Sequence, residues 1–437
     1  MEVLYSIPWW ALLPFVCMLL MIAVGPLVAE KWWESNTNKL IVSFVLGVPT
    51  AIFLINHGLG ANIEHQMLYD YLPFIILLTS LYVITGGIHL SGDIKASPAV
   101  NTLFMGIGFV LASLMGTTGA AMLLIRPLIE TNRQRQYKAH TIMFFIATVA
   151  NCGGLMTPLG DPPLFLLYLR GAGFTWFLSM FPQWITTGLL LMGIYFLYDT
   201  YVYRRKEEVM ALIKDSTDVS PLCLSGKINI MYLLFVVLSV AFINESFIPA
   251  MGEEDAPMWI KFLREIVLLG LIFLSYYTTR QSVRQSNHYS WKPILEVAVV
   301  FVGIFMTMIP ALLFLKEHAA SFGLHQPWHF YYATGALSSF LDNAPTALAF
   351  HGVASGLVAS GQAVAEVAGV PEHLLQAISM GAVFFGALTY IGNGPNFMVK
   401  SIAEENGIKM PSFFAYMAKF SLIVLLPIYI LVQAVFL

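Results

Sequence analysis

Two acidic residues sit deep within apolar stretches of this chain. Asp342 lies in Ser339-Phe340-Leu341-Asp342-Asn343-Ala344-Pro345-Thr346, and Asp161 in Thr157-Pro158-Leu159-Gly160-Asp161-Pro162-Pro163-Leu164-Phe165. A carboxylate in such a setting is costly to ionise and marks an ion or proton pathway. Around them stand Asn151, Thr157, Asn343, Thr346, Asn393 and Asn396, with Thr117 and Thr118 in Ser113-Leu114-Met115-Gly116-Thr117-Thr118-Gly119. These are hard oxygen donors, which suit Na⁺ or H⁺ and not soft metals. A carboxylate that holds either a proton or a sodium ion, but not both, is the minimal device for exchange. The competing role for the Asp and Asn residues is to cap helices, at which both are good.

Other candidates carry less. His57, His65, His318, His325 and His329 fall in loops or at helix ends, His351 in an apolar stretch and His140 at a helix start. Glu265 and Glu296 lie within about two turns of helix ends, where a side chain can reach the interface. Trp9, Trp10, Trp32, Trp33, Trp259 and Trp328 sit at helix ends, as an aromatic belt would. Cys17, Cys152 and Cys223 are too far apart for a disulfide framework or a zinc pattern. His-Glu-x-x-His is absent. An aspartyl-protease reading of Asp161 fails because Pro158-Leu159-Gly160-Asp161 lacks the first Gly of Gly-x-Gly-Asp, and its partner Asp70 sits at a helix start.

The elements that must position these residues are membrane helices. Of the 437 residues, 58% are hydrophobic and only 11% charged. Apolar runs recur throughout, each long enough to cross a hydrocarbon core of ~30 Å. The net charge of −3 argues against a nucleic-acid partner. The start, MEVLYSIPWW, lacks a basic n-region, so the first apolar run is expected to stay as a helix. Helices are expected at 9–29, 39–57, 68–91, 140–170, 177–203, 228–246, 258–279, 293–315, 374–400 and 413–437. The stretches 100–130 and 330–360 carry polar, Gly- or Pro-containing breaks at their centres. Such breaks survive in lipid only where protein or water receives them, so both are expected to be re-entrant hairpins. With the N-terminus outside, 18 of the 22 Lys and Arg then fall inside, leaving Arg170, Lys261, Arg264 and Lys316 outside with the acidic Glu253-Glu254-Asp255. That is the positive-inside bias.

A polar linker, 204–227, joins residues 1–203 to residues 228–437. Both parts read as three helices, a hairpin, a broken helix (140–170 and 374–400) and a last helix. Five crossings precede the second part, so it is expected to be inverted, which is a transporter signature. The second break reads Thr389-Tyr390-Ile391-Gly392-Asn393-Gly394-Pro395-Asn396-Phe397, and its Thr, Gly, Pro and Phe fall in register with the first. Gly160, Pro162, Pro163, Gly392, Gly394 and Pro395 are the expected helix breakers. They would free carbonyls for a cation and helix N-termini for an anion. The fold class is therefore an all-α polytopic membrane protein with two inverted repeats, about ten crossings, two hairpins and two broken helices.

Leu341-Asp342-Asn343-Ala344-Pro345 is similar to the LDN-x-P hairpin signature of arsenite permeases and NhaD-type sodium/proton antiporters. Thr157–Pro163 and Tyr390–Asn396 resemble the paired G-[ND]-x-P motifs of that branch. On these motifs the chain resembles the ion transporter superfamily, which also holds citrate-type carboxylate carriers. The resemblance implies a homodimer of scaffold domains, elevator-like transport domains, a site between hairpin tips and broken helices, and a bacterial inner membrane. Carboxylate carriers of the superfamily use Ser-Asn-Thr at the tips, and here Asp342 stands in that place. The reading is a Na⁺/H⁺ antiporter without a cofactor, with Na⁺ held by Asp342, Asp161, Asn343 and Asn393. Thr346, Thr117 and Thr118 would line the site and half-helix carbonyls complete the coordination. The alternative is a cation-coupled carrier of citrate or another small carboxylate, with a bound cation shielding Asp342.

Overall fold

The computed structural model describes residues 6–217, 219–253 and 255–437. Residues 1–5 and Glu254, within the predicted acidic outer loop, lie outside them. Sixteen main helices follow in chain order: α1 (Leu13–Val28), α2 (Asn36–Asn56), α3 (Leu72–Thr85), α4 (Pro98–Met115), α5 (Thr117–Thr131), α6 (Ala139–Thr148), α7 (Pro162–Leu169), α8 (Phe181–Arg205), α9 (Ile228–Phe242), α10 (Leu263–Thr278), α11 (Lys292–Glu317), α12 (Pro327–Ser338), α13 (Asn343–Ala359), α14 (Glu372–Phe385), α15 (Gly394–Glu405) and α16 (Leu426–Phe436). Among the described residues, eight helical segments are long and apolar enough to cross a membrane: Trp9–Pro26, Asn36–Asn56, Gly60–Thr85, Pro98–Met115, Ala139–Met156, Phe174–Arg205, Lys292–Glu317 and Phe413–Phe436.

The expected segments 228–246 and 258–279 hold helices of only 15 and 16 residues, α9 and α10. The segment 374–400 is interrupted between α14 and α15. Conversely, the 18 residues of α4, expected as one limb of a hairpin, are long enough to span alone. The expected hairpin regions are each a pair of packed helices, α4 with α5 and α12 with α13. The first pair meets at Gly116, whose φ of 80° is open to glycine and strained for other residues.

One element departs from an all-α plan. His89–Asp93 (β1) pairs antiparallel with Ser220–Ser225 (β2) of the linker, in register His89 to Ser225 and Leu90 to Leu224. The ladder is irregular between Ser91 and Asp93, where Gly92 takes φ 126°. Alternation over five or six residues is too short to stand out against so apolar a chain. Asp215, just ahead of β2, accepts from the Ala96 N–H at 3.0 Å.

Polar contacts, buried or partly buried, fix the helices to one another. Lys39 on α2 donates to Glu296 on α11 at 2.6 Å, and Ser43 to the Val299 carbonyl at 2.8 Å. Between α6, α8 and the loop before α6, Arg135 makes a two-pronged pair with Asp199 at 2.6 and 2.9 Å, and His140 shares Asp199 at 2.7 Å. Glu265 does not reach the interface as its position predicts. It is buried against Arg264 at 2.6 Å, with the Tyr168 hydroxyl completing the guanidinium's contacts, because a buried charge needs a partner. Trp33 likewise leaves the aromatic belt and is buried, with Gly25 at its ring.

Candidate functional site

Both predicted helix breaks are present and built alike. After α6, Cys152–Met156 forms a 3₁₀ turn, Thr157 is extended (φ −142°, ψ 159°), and Asp161 is extended (φ −148°, ψ 145°) before Pro162 opens α7. After α14, Gly386–Leu388 forms a 3₁₀ turn, Thr389 is extended (φ −137°, ψ 167°), and Asn393 is extended (φ −149°, ψ 140°) before α15. Each threonine hydroxyl donates to a carbonyl where the neighbouring helix pair turns, Thr157 to Ser113 and Thr389 to Ser339. Each also accepts from the N–H two residues on, at 3.2 Å.

Glycine is required where the two turns of a break touch. A Cβ on Gly160 would lie 1.9 Å from the Gly154 carbonyl oxygen, and one on Gly392 would lie 2.6 Å from that of Gly386. The spacing Gly154-Thr157-Gly160 is repeated as Gly386-Thr389-Gly392. Gly154 and Gly386 are absent from the residues singled out in sequence, although this shared spacing carried the signal.

Side chains from both breaks meet at Asp161. Asp161 Oδ1 accepts from the Thr117 hydroxyl at 2.8 Å and from Asn393 Nδ2 at 3.1 Å, and Oδ2 accepts from Asn343 Nδ2 at 2.5 Å. These four residues come from the starts of α5, α7, α13 and α15, and all are buried. Asp161 holds an N-cap position but makes no capping bond. Asp342 does cap, accepting from the Ala344 N–H at 3.0 Å, and Thr346 donates back to the Asp342 carbonyl at 2.8 Å. Of the two acidic residues, only Asp342 makes a capping bond.

A second layer lies behind. Asn151 Nδ2 donates to Asn396 Oδ1 at 2.7 Å, and Asn393 Nδ2 also reaches Asn151 Oδ1 at 3.2 Å. Asn396 Nδ2 donates to the carbonyls of Gly386 and Thr389 at 2.8 and 2.9 Å. The Gly160 carbonyl accepts from the Thr117 N–H at 2.8 Å. Several of the carbonyls that unwinding frees are therefore already bonded within the protein.

A cavity of about 200 Å³ opens on this constellation. Of the ten predicted site residues, six line it: Thr117, Thr118, Asp161, Asp342, Asn343 and Asn393. Asn151, Thr157, Thr346 and Asn396 stand back from it and hold the backbone. Of the predicted breakers, Gly160, Pro162, Gly394 and Pro395 also reach the cavity, whereas Pro163 and Gly392 are packed behind. The opposite wall, absent from the sequence reading, comes from α3 and α11 through residues such as Leu81, Tyr82, Thr85 and Phe301. These are ordinary apolar-helix residues with no local signal. Met122 on α5 and Met398 on α15 line it too.

Four helix N-termini, those of α5, α7, α13 and α15, converge on the cavity. Each brings partial positive charge. No Lys, Arg or His lines it among the described residues. The cavity therefore combines fixed positive dipole ends with two carboxylates.

Residues 4–437 match the family described as "Putative citrate transport" (CitMHS_2). The chain belongs to this family. The family is part of the ion transporter superfamily, so the protein is a multi-pass membrane transporter and not an enzyme. No curated protein matches the chain in sequence. His140 of this transporter is taken up by the Asp199 pair and Asp70 by Arg170, both away from the cavity.

Proposed function

We propose that this transporter is a cation-coupled carrier of citrate or another small carboxylate. The observation that carries the reading is the meeting of four helix N-termini on a cavity that holds both Asp161 and Asp342. Helix N-termini favour carboxylates, and family membership points to the same substrate class. A coupling Na⁺ or H⁺ at Asp161 and Asp342 offsets their charge. The substrate carboxylate then sits at the Thr117–Thr118, Asn343 and Gly394 ends. A cavity of about 200 Å³ is below the usual range of ~300 Å³ and upward for drug-sized ligands, which fits a compact acid.

In this reading the halves 1–203 and 228–437, joined by 204–227, are inverted repeats. Their helix pairs 100–130 and 330–360 are re-entrant hairpins, and the matching breaks give that symmetry its support. Alternating access comes from an elevator-like movement of the hairpins and breaks against α3 and α11. A homodimer in a bacterial inner membrane provides the fixed frame. Na⁺/H⁺ antiport is the second reading, favoured by the two acidic residues and by the lack of a basic side chain among the described residues that line the cavity. It is weakened by the bonded carbonyls, which leave fewer free ligands for a bare cation.

The test is uptake of labelled citrate and smaller dicarboxylates into proteoliposomes, with Na⁺ and pH gradients imposed separately. Citrate uptake driven by either gradient supports the proposal. Proton flux on adding Na⁺ alone, with no carboxylate carried, replaces it with antiport.

A further inference from the structure

A second cavity, of about 250 Å³, lies between α7, α11, α13 and the short turns that precede α3. Its polar lining includes the donors His65, Gln66, Arg170 and Lys316, with Asn62, Ser355 and His351, whose Nε2 already donates to the Ala368 carbonyl at 2.9 Å. No acidic side chain lines it among the described residues. Arg170 is preset, since its Nη2 donates to Asp70 Oδ2 at 2.6 Å and to Gln66 Oε1 at 3.2 Å. That leaves the other guanidinium donors for a ligand. Gln66 is 5% exposed, and its Nε2 has no hydrogen-bond partner among the described residues. A buried donor left unpaired is costly, and an acceptor entering the cavity would satisfy it.

The placement adds a second argument. On the charge-bias topology, Arg170 and Lys316 are two of only four Lys and Arg on the external side. Basic residues are disfavoured there, yet these two converge on one cavity. Of the others, Arg264 is spent on Glu265. α13 joins this cavity to the central one. Asn343 at its start lines the central cavity, and Leu348, His351, Gly352 and Ser355 line the outer one. From Asn343 to His351 the helix climbs about 12 Å.

We propose that this outer vestibule is an anion-capture site, where Arg170, Lys316 and Gln66 hold a carboxylate before it passes along α13 to the central cavity. The choice of carboxylate as its ligand rests on the carrier function proposed above. The vestibule works by raising the local concentration of the anion, since among the described residues no basic side chain lines the central cavity to attract one.

The site can be probed without transport. In purified full-length protein carrying Ser355→Cys, with Cys17→Ser and Cys223→Ser to remove the exposed thiols, a negatively charged methanethiosulfonate should react about tenfold or more faster than a positively charged one. Citrate should slow that reaction severalfold. Lys316→Gln should reduce the preference, and Lys316→Arg should keep it. Equal rates for the two reagents, or indifference to citrate, would overturn the proposal. The preference persisting in a protein that carries no carboxylate keeps the vestibule and refutes the carrier reading. Citrate transport by a protein without the preference does the reverse.

Discussion

Asn343 Nδ2 donates to Asp161 Oδ2 at 2.5 Å, joining residues 182 positions apart in the chain. With Asn393 donating to the other oxygen at 3.1 Å, two amides from the second half of the chain fix one carboxylate from the first. Both amides can only donate through Nδ2, so Asp161 must accept at both oxygens. Asp161→Asn places an amide against the Asn343 amide, and leaving a buried donor unmet costs about 1–3 kcal/mol. Folded variant protein is expected to lose coupled citrate uptake by about a hundredfold or more, since the fixed charge that recruits the cation is gone. Labelled uptake alongside thermal unfolding in detergent separates the two effects, and near-normal uptake would remove Asp161 from the site.

Asp342 caps α13 through the Ala344 N–H. Asp342→Asn retains an acceptor for that bond, and asparagine is as good a cap as aspartate. Its unfolding temperature is expected to stay within a few degrees of the parent, while the dependence of uptake on Na⁺ or pH changes. If the variant transports with unaltered coupling, Asp342 is a cap only.

Gly160→Ala is expected to prevent accumulation of folded protein, because its Cβ would lie 1.9 Å from the Gly154 carbonyl oxygen, which is backbone and cannot move aside. Gly392→Ala, at 2.6 Å from the Gly386 oxygen, should cost about 1–3 kcal/mol or more, as overpacking does. Gly193→Ala meets nothing within 4 Å and serves as the control. Size-exclusion profiles of the three variants would report the order.

Arg135→Met strips the guanidinium from Asp199 and Glu207, both buried, and removing one partner of a buried pair costs about 3–5 kcal/mol. Arg135→Lys should recover only part of this, since an ammonium cannot make the two-pronged contact at 2.6 and 2.9 Å. Thermal unfolding ranks the three proteins, and equal stability of the Lys variant and the parent would contradict the pairing argument.

Asp215 supplies a pH effect outside the membrane helices. Burial holds its carboxyl above the usual range, against the Ala96 N–H that favours the charged form, and its Oδ1 has no partner among the described residues. A carboxyl raised on folding is protonated more readily in the folded than in the unfolded chain. Its contribution is therefore most favourable at low pH and is lost as pH rises from the unfolded value through the raised folded one. Asp215→Asn removes that slope. The difference in unfolding temperature between parent and variant, followed from pH 4 upward, should shift in the variant's favour as pH rises; a flat difference would show that Asp215 does not titrate there.

How much was legible in the sequence follows from what is local. The length and composition of the apolar runs pointed to a multi-pass membrane protein, because lipid offers no partner for an exposed backbone and leaves the helix as the available solution. The breaks at Thr157–Asp161 and Thr389–Asn393 were also legible, since proline removes a donor and glycine permits close approach within a few residues. Which acidic residue caps and which gathers the amides was not. Asp161 and Asp342 have similar neighbours in sequence, and the choice depends on Asn343 and Asn393 arriving from the far half of the chain. The apolar wall from α3 and α11, the β1–β2 ladder and the donor-lined vestibule at Arg170 and Lys316 were likewise decided only by tertiary structure. Each joins segments more than 100 residues apart, and periodicity along a helix says which face is apolar but not what that face meets.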